Sequence, residues 1–168
     1  MKAILFAACA GAALVCSCSG SKQQVGAAAV EEVITEVVTP APAEIMNGGF
    51  RVENVVVNDS LSASPAKETP DEPTYANFTG NQYAFKTNCN IIQGGYTLSG
   101  DSITLNPGLS TRMACPNMKV EDLLSMIIPQ ITTVSVENDS TVRLNTSSNG
   151  YILMVRSALP EELQAPAE

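Results

Sequence analysis

The chain has 168 residues, 17 of them acidic against 9 basic, for a net charge of −8. That length allows one domain with a modest core, and the acidic balance excludes the clustered Lys and Arg with which nucleic-acid binders displace counterions. Histidine is absent altogether, which removes the Ser-His-Asp triad, the Cys-His pair and every His-based zinc site.

The first seventeen residues read as a targeting segment. Lys2 gives one positive charge, and residues 3–15 form an apolar run too short for a comfortable bilayer span. The run ends in Val15-Cys16-Ser17-Cys18, the form of a lipoprotein processing site. Such a site takes an apolar residue three before the cysteine and a small residue directly before it. Val15 and Ser17 frame Cys18 in this way, whereas Cys16 follows the bulkier Val15. Cys18 is the expected lipidation residue; ordinary cleavage after Ala10 or Ala13 is the alternative. Two or three acyl chains, at about 0.8 kcal/mol per buried methylene, make a stable anchor. Losing residues 1–17 removes Lys2 and no acid, so the mature chain has 17 acidic residues against 8 basic, a net of −9. A polybasic attachment to anionic lipid is therefore disfavoured.

Residues 18–49 read as a tether. Ser19-Gly20-Ser21-Lys22-Gln23-Gln24 is polar, and Pro40-Ala41-Pro42-Ala43 favours an extended backbone. Val30, Val33, Ile34 and Val37 recur at helical spacing between Glu31, Glu32 and Glu36, which admits a short amphipathic helix. Its β-branched residues and acidic face favour a spacer instead.

From Phe50 the pattern alternates. Residues 51–57 read as a strand closed by Asn58-Asp59, and residues 62–74, with Pro65, Pro70 and Pro73, as a loop. Residues 75–78 and 82–85 read as strands with aromatics on one face. Residues 96–98 and 103–105 make a hairpin through Ser99-Gly100-Asp101-Ser102, ended by Pro107-Gly108. A helix is expected after Pro116, with Asn117 as cap, Glu121 and Asp122 at its electropositive end, and Pro129 as terminator. Val120, Leu123, Leu124, Ile127 and Ile128 form its apolar stripe. Residues 133–136 pair with 141–144, and 141–144 with 151–155 across Ser147-Ser148-Asn149-Gly150, where Asn-Gly predicts two positive-φ turn positions. Many short strands with one helix predict a mainly β fold: a small antiparallel, barrel-like structure with one packed α-helix at about residues 118–128.

Three segments carry a family resemblance: Asn88-Cys89-Asn90, Gly94-Gly95-Tyr96 and Ser110-Thr111-Arg112-Met113-Ala114-Cys115-Pro116, followed by the helix and two hairpins. Their order and chemistry resemble the META domain, the family of the bacterial heat-shock protein HslJ, over residues 50–157. Phe50 stands where the family usually has a tryptophan-rich strand. The resemblance implies an envelope protein with a β-barrel and a packed helix, but no reaction. It gives a division into signal peptide (1–17), tether (18–49), META domain (50–157) and flexible tail (158–168). Asn90, Gly95, Thr111, Arg112 and Met113 match the family's motif loop. For Met113 the structural reading is a plug at the barrel end, and for Arg112 a bond to nearby carbonyls or an acid; a guanidinium offered to a partner carboxylate is the functional alternative. Cys89 and Cys115 fall on the family's two cysteine positions. In an exported domain two cysteines are first read as a disulfide, worth about 3.5 kcal/mol; two separate buried thiols are the other reading.

Chemistry beyond this is sparse. Ser19-Gly20-Ser21-Lys22 matches a Ser-x-x-Lys pattern without its companion motifs. Asp101 and Glu121 are acids of the kind that form glycosidase pairs, but acids on turns and helix starts ordinarily solvate and cap. Neither a catalytic nor a metal site is expected, and no cofactor. Asn58, Asn77, Asn138 and Asn145 begin Asn-x-Ser/Thr sequons, and Asp59-Ser60-Leu61, Asp101-Ser102-Ile103 and Asp139-Ser140-Thr141 resemble O-glycosylation triplets; turn preference explains them equally well. The expected function is a non-catalytic envelope lipoprotein, anchored in the outer membrane of a Gram-negative bacterium, that supports envelope integrity or stress tolerance through a protein partner. A barrel binding a small apolar ligand is the alternative.

Overall fold

The structure, a computed structural model, describes residues 40–164. The signal peptide, Cys18, the Ser-x-x-Lys match and the Val30–Val37 periodicity lie outside the described residues. Among the described residues nine strands run in chain order: β1 (Gly48–Asn58), β2 (Leu61–Ala63), β3 (Tyr75–Thr79), β4 (Gln82–Lys86), β5 (Ile91–Ser99), β6 (Ser102–Ser110), β7 (Ile131–Asn138), β8 (Thr141–Thr146) and β9 (Tyr151–Arg156). Helices α1 (Pro42–Met46), α2 (Pro65–Glu68) and α3 (Lys119–Ile127) accompany them. The sheet order β2-β1-β3-β4-β5-β6-β7-β8-β9 closes through a β1–β9 pairing, so the predicted antiparallel barrel with one main helix is the observed fold. Eight strands form the wall, and β2 is a short flap on the far half of β1.

Alternation places the core. Along β3 and β4 the inward residues are Ala76, Phe78, Tyr83 and Phe85, and along β8 and β9 they are Val142, Leu144, Ile152 and Met154. Phe78 is the hub, its ring centroid 5.4–6.2 Å from those of Phe50, Phe85 and Tyr96, in edge-to-face geometry. Tyr75 points to the opposite face of β3 and is only half-buried, so the expected aromatic face loses that one member. Burial raises the Tyr83 phenol above its ordinary range, and its hydroxyl donates to the Asn106 carbonyl at 3.2 Å. Side chains thus fill the barrel's middle. Two surface clefts lie beside α3, one against Ser60, Leu61 and Ser62 and one against residues 110–114.

The two ends are closed differently. At the end carrying the β3–β4, β5–β6 and β7–β8 turns, α1 buries Ile45 and Met46. Arg156 holds it there, donating to the Ile45 and Asn47 carbonyls with its guanidinium 5.0 Å from the centre of the Phe50 ring. At the opposite end α3 packs its stripe of Val120, Leu123, Leu124, Ile127 and Ile128, all buried as the periodicity predicts. Asn117 Oδ1 accepts the Lys119 N–H at 3.2 Å, one position earlier than a true cap. Pro129 ends α3 by turning it into one 3₁₀ turn, Ile128–Gln130.

Several boundaries differ from the sequence reading. The folded unit starts before residue 50, because Ile45, Met46 and the Gly48–Phe50 half of β1 are built into the barrel. The tail after residue 157 is tied down as far as Leu163, which is buried and whose carbonyl accepts from Asn77 Nδ2 at 2.9 Å. The expected loop 62–74 contains part of β2 and all of α2, with Pro65 in the first turn of α2, where a missing N–H is harmless. Pro107-Gly108 does not end β6, which runs on to Ser110 across a register shift opposite β5. Past Ser102 this strand has no β7 partner on its other side, and a proline is tolerated on such an edge. Positive φ also occurs elsewhere than expected. Gly80 and Asn81 (φ 58° and 66°) form the β3–β4 hairpin turn, whereas Asn149 and Gly150 do not enter that region. Gly150 is required for closeness instead: a Cβ there would lie 2.8 Å from the Val57 carbonyl oxygen.

Candidate functional site

The motif residues gather at the α3 end, where the chain passes from β4 to β5 and from β6 to α3. Cys89 and Cys115 form a disulfide with Cα atoms 6.0 Å apart. It ties the β4–β5 link to the 111–118 segment. Asn90 is 1 % exposed and turns its amide to that segment and to α3. Its Oδ1 accepts the Met113 N–H and the Thr111 hydroxyl, both at 2.8 Å. Its Nδ2 donates to the Met113 carbonyl at 3.0 Å and to both Glu121 carboxylate oxygens at 3.0 Å. The side chain therefore pairs with Met113 as a neighbouring strand would, donating and accepting at one residue. Thr111 Oγ1 returns to the wall by accepting the Ile91 N–H at 3.0 Å.

Thr87 completes the network. Its hydroxyl accepts the N–H groups of Cys89 and Asn90 at 3.1 and 2.9 Å, and reaches the Asn90 carbonyl at 2.9 Å and Glu121 Oε2 at 3.4 Å. Thr87, Asn90 and Glu121 are all buried. Sequence reasoning passed over Thr87 and took Glu121 for a solvated helix-start acid. The signal was available: Glu121 stands three residues before Leu124 and seven before Ile128, on the flank of the apolar stripe. Asp101 lies exposed in the β5–β6 turn, at the other end of β5 from Asn90, so Asp101 and Glu121 form no pair.

The outward residues correct two expectations. The Met113 side chain is 58 % exposed, so it does not plug the barrel. Arg112 is exposed and takes part in no ion pair or side-chain hydrogen bond among the described residues. Leu109, 73 % exposed, precedes them. Of the two motif glycines, Gly95 would give a Cβ only ordinary contacts, and Gly94 is the tight one: a Cβ there would overlap the Asn106 carbonyl. The three Asp-Ser pairs sit in exposed turns at both barrel ends, and Asn58 and Asn138 accept N–H groups within their own turns.

The META domain model matches residues 44–158, a span that takes in the end of α1, every strand described above and this disulfide-braced end. The chain belongs to the META domain family. Two solved structures agree on the fold. A protein from Burkholderia xenovorans, determined by NMR, superposes with a TM-score of 0.57 at 16 % identity, covering 74 % of this chain and 96 % of that one. A second NMR structure gives 0.51 at 19 % identity, covering 70 % and 96 %. A DUF4847-family protein from Bacteroides vulgatus gives 0.47 at 8 % identity, covering 69 % and 96 %. No curated protein matches the chain. Among the described residues of this META domain there is no helix long and apolar enough to cross a membrane, and no group of three or more acidic or cysteine side chains placed to hold a metal.

Asn90 provides a direct test of the network. In Asn90→Asp a carboxylate replaces the amide 3.0 Å from Glu121, and the donor to the Met113 carbonyl is lost. The variant is expected to cost roughly 2–4 kcal/mol in urea denaturation, and adding Glu121→Gln to it should recover part of that loss by removing the facing carboxylate. A double variant no more stable than Asn90→Asp alone would show that Asn90 and Glu121 are not coupled.

Proposed function

We propose that this META domain protein is a non-catalytic envelope lipoprotein, anchored through Cys18, that supports envelope integrity or stress tolerance by binding another protein. The observation that carries the reading is the pairing of rigidity with exposure at the 109–115 segment. Leu109, Arg112 and Met113 face solvent there, while the Cys89–Cys115 bond and the Asn90 amide fix the backbone beneath them. A surface held in place before contact loses little conformational entropy on association, and exposed Met and Arg are residues in which interfaces are enriched. The interior, filled by Phe50, Phe78, Tyr83 and Phe85, favours this reading over an apolar-ligand barrel.

A photo-crosslinking residue at Arg112 in living cells is expected to capture one dominant envelope protein, and the same residue at exposed Thr97 is not. Equal, diffuse labelling from both positions would overturn the reading. Anchoring has its own test. Cys18→Ala is expected to move the protein from the membrane to the soluble fraction and abolish uptake of labelled fatty acid. A variant that still pellets with membranes and takes up label would exclude Cys18.

A further inference from the structure

We propose that the cleft between the 110–114 segment and α3 receives the cationic nitrogen of a partner protein's Lys or Arg side chain, with Glu121 as its counter-charge. This rests on the contact-protein reading above and names what the contact recognises. The cleft holds about 370 Å³ and is lined by Met113 and Met118, by the Ser110 and Ser125 positions, and by Asn90 and Glu121. Such a volume takes a single extended side chain with its head group.

Glu121 is the unusual element. It is 7 % exposed, and its partners are neutral: Asn90 Nδ2 donates to it, and the Thr87 hydroxyl, whose one proton also has the nearer Asn90 carbonyl to go to, lies 3.4 Å away. The described ion pairs join Arg51 to Glu53, Lys86 to Glu162, Lys119 to Glu68 and Arg143 to Glu137, and none reaches Glu121. A buried carboxylate without a cation is costly, and two carboxylate oxygens offer about four acceptor directions, so acceptor capacity remains toward the cleft. The methionines supply soft, adaptable walls for an aliphatic stem. The chain's net charge of −8 steers a basic partner toward it. Arg112 stands on the rim of the same cleft, exposed. As a like charge it weakens entry of a bare cation.

The test uses the full chain in detergent, with Met113 and Met118 methyl groups followed by NMR while acetyl-Gly-Lys-Gly-amide is added. Saturable shifts of both methyls are expected, absent with the norleucine analogue, which keeps the stem and lacks the charge. Glu121→Gln should weaken binding about 10- to 100-fold, the range for a charge-assisted hydrogen bond. Arg112→Ala, an exposed change that does not depend on Glu121→Gln folding, should tighten it about two- to fivefold. Equal binding of the norleucine peptide, no saturable shift in the wild type, or unchanged affinity in both variants would overturn the proposal. Cadaverine binding as well as the peptide would overturn the assignment to a polypeptide. Crosslinking from Arg112 to a partner, without peptide binding, would overturn the cleft while leaving the contact-protein reading intact.

Discussion

Phe78→Ala is expected to destabilise the domain by about 3–5 kcal/mol, close to unfolding it at 37 °C. Phe78 is wholly buried, and rings from β1, β4 and β5 pack around it, the nearest with its centroid at 5.4 Å. Truncation removes the transfer energy of the ring and leaves a cavity among aromatics that cannot collapse inward, because they belong to three strands of a closed wall. A melting temperature lower by about 3–6 °C per kcal/mol is the corresponding thermal readout. Tyr83→Phe is the control. It keeps the volume and loses only the hydroxyl bond to Asn106, for about 0.5–1.5 kcal/mol. A Phe78→Ala loss no larger than that of Tyr83→Phe would mean the core is not organised around this ring.

The second large effect is expected from Cys89→Ala with Cys115→Ala. The bond joins residues separated by 26 positions, and the chain-entropy model gives about 3.5 kcal/mol for such a loop. Reduction of the wild type should reproduce most of the loss. Hydrogen exchange should accelerate chiefly over 111–118, the stretch that without the bond is held to the barrel mainly by Asn90, Asn88 and Thr111. Thermal transitions that coincide with and without reductant would remove the disulfide from the account of stability.

What was legible in the sequence followed from repetition. Period-two alternation gave the hairpins, and period-3.6 recurrence gave the four buried apolar residues of α3 and Ile128 just past its end. Single-residue signals fared less well because tertiary context outweighed them. Asn149-Gly150 has the composition of a tight turn, yet Gly150 is selected by the nearby Val57 carbonyl and keeps an ordinary φ. Pro107 reads as a breaker, yet it pairs with Gly94 of β5 in a stretch of β6 whose other side has no β7 partner. At the site, Asn90, Thr111 and the two cysteines were found by resemblance, since nothing in their spacing shows that one amide pairs with the backbone twenty-three residues on. Thr87 and Glu121 were missed because a buried polar group looks in sequence like an exposed one. Only its place on the apolar flank of a helix distinguishes Glu121.

The β1–β9 pairing also governs the order in which this molecule can assemble. Phe50 lies against Arg156, and Val56 against Tyr151, so one side of the first long strand finds its partner only in the last. A chain emerging N-terminus first can form the local β3–β4–β5–β6 meander early, but it cannot close the barrel until β9 is free. Until then one side of β1 remains an open edge. Non-local closure of this kind slows folding, because loop entropy is lost before the contacts form. A truncation ending before Tyr151 should therefore yield a collapsed, protease-sensitive chain rather than a smaller barrel. The complete chain should show its slowest refolding step in probes placed across the β1–β9 seam.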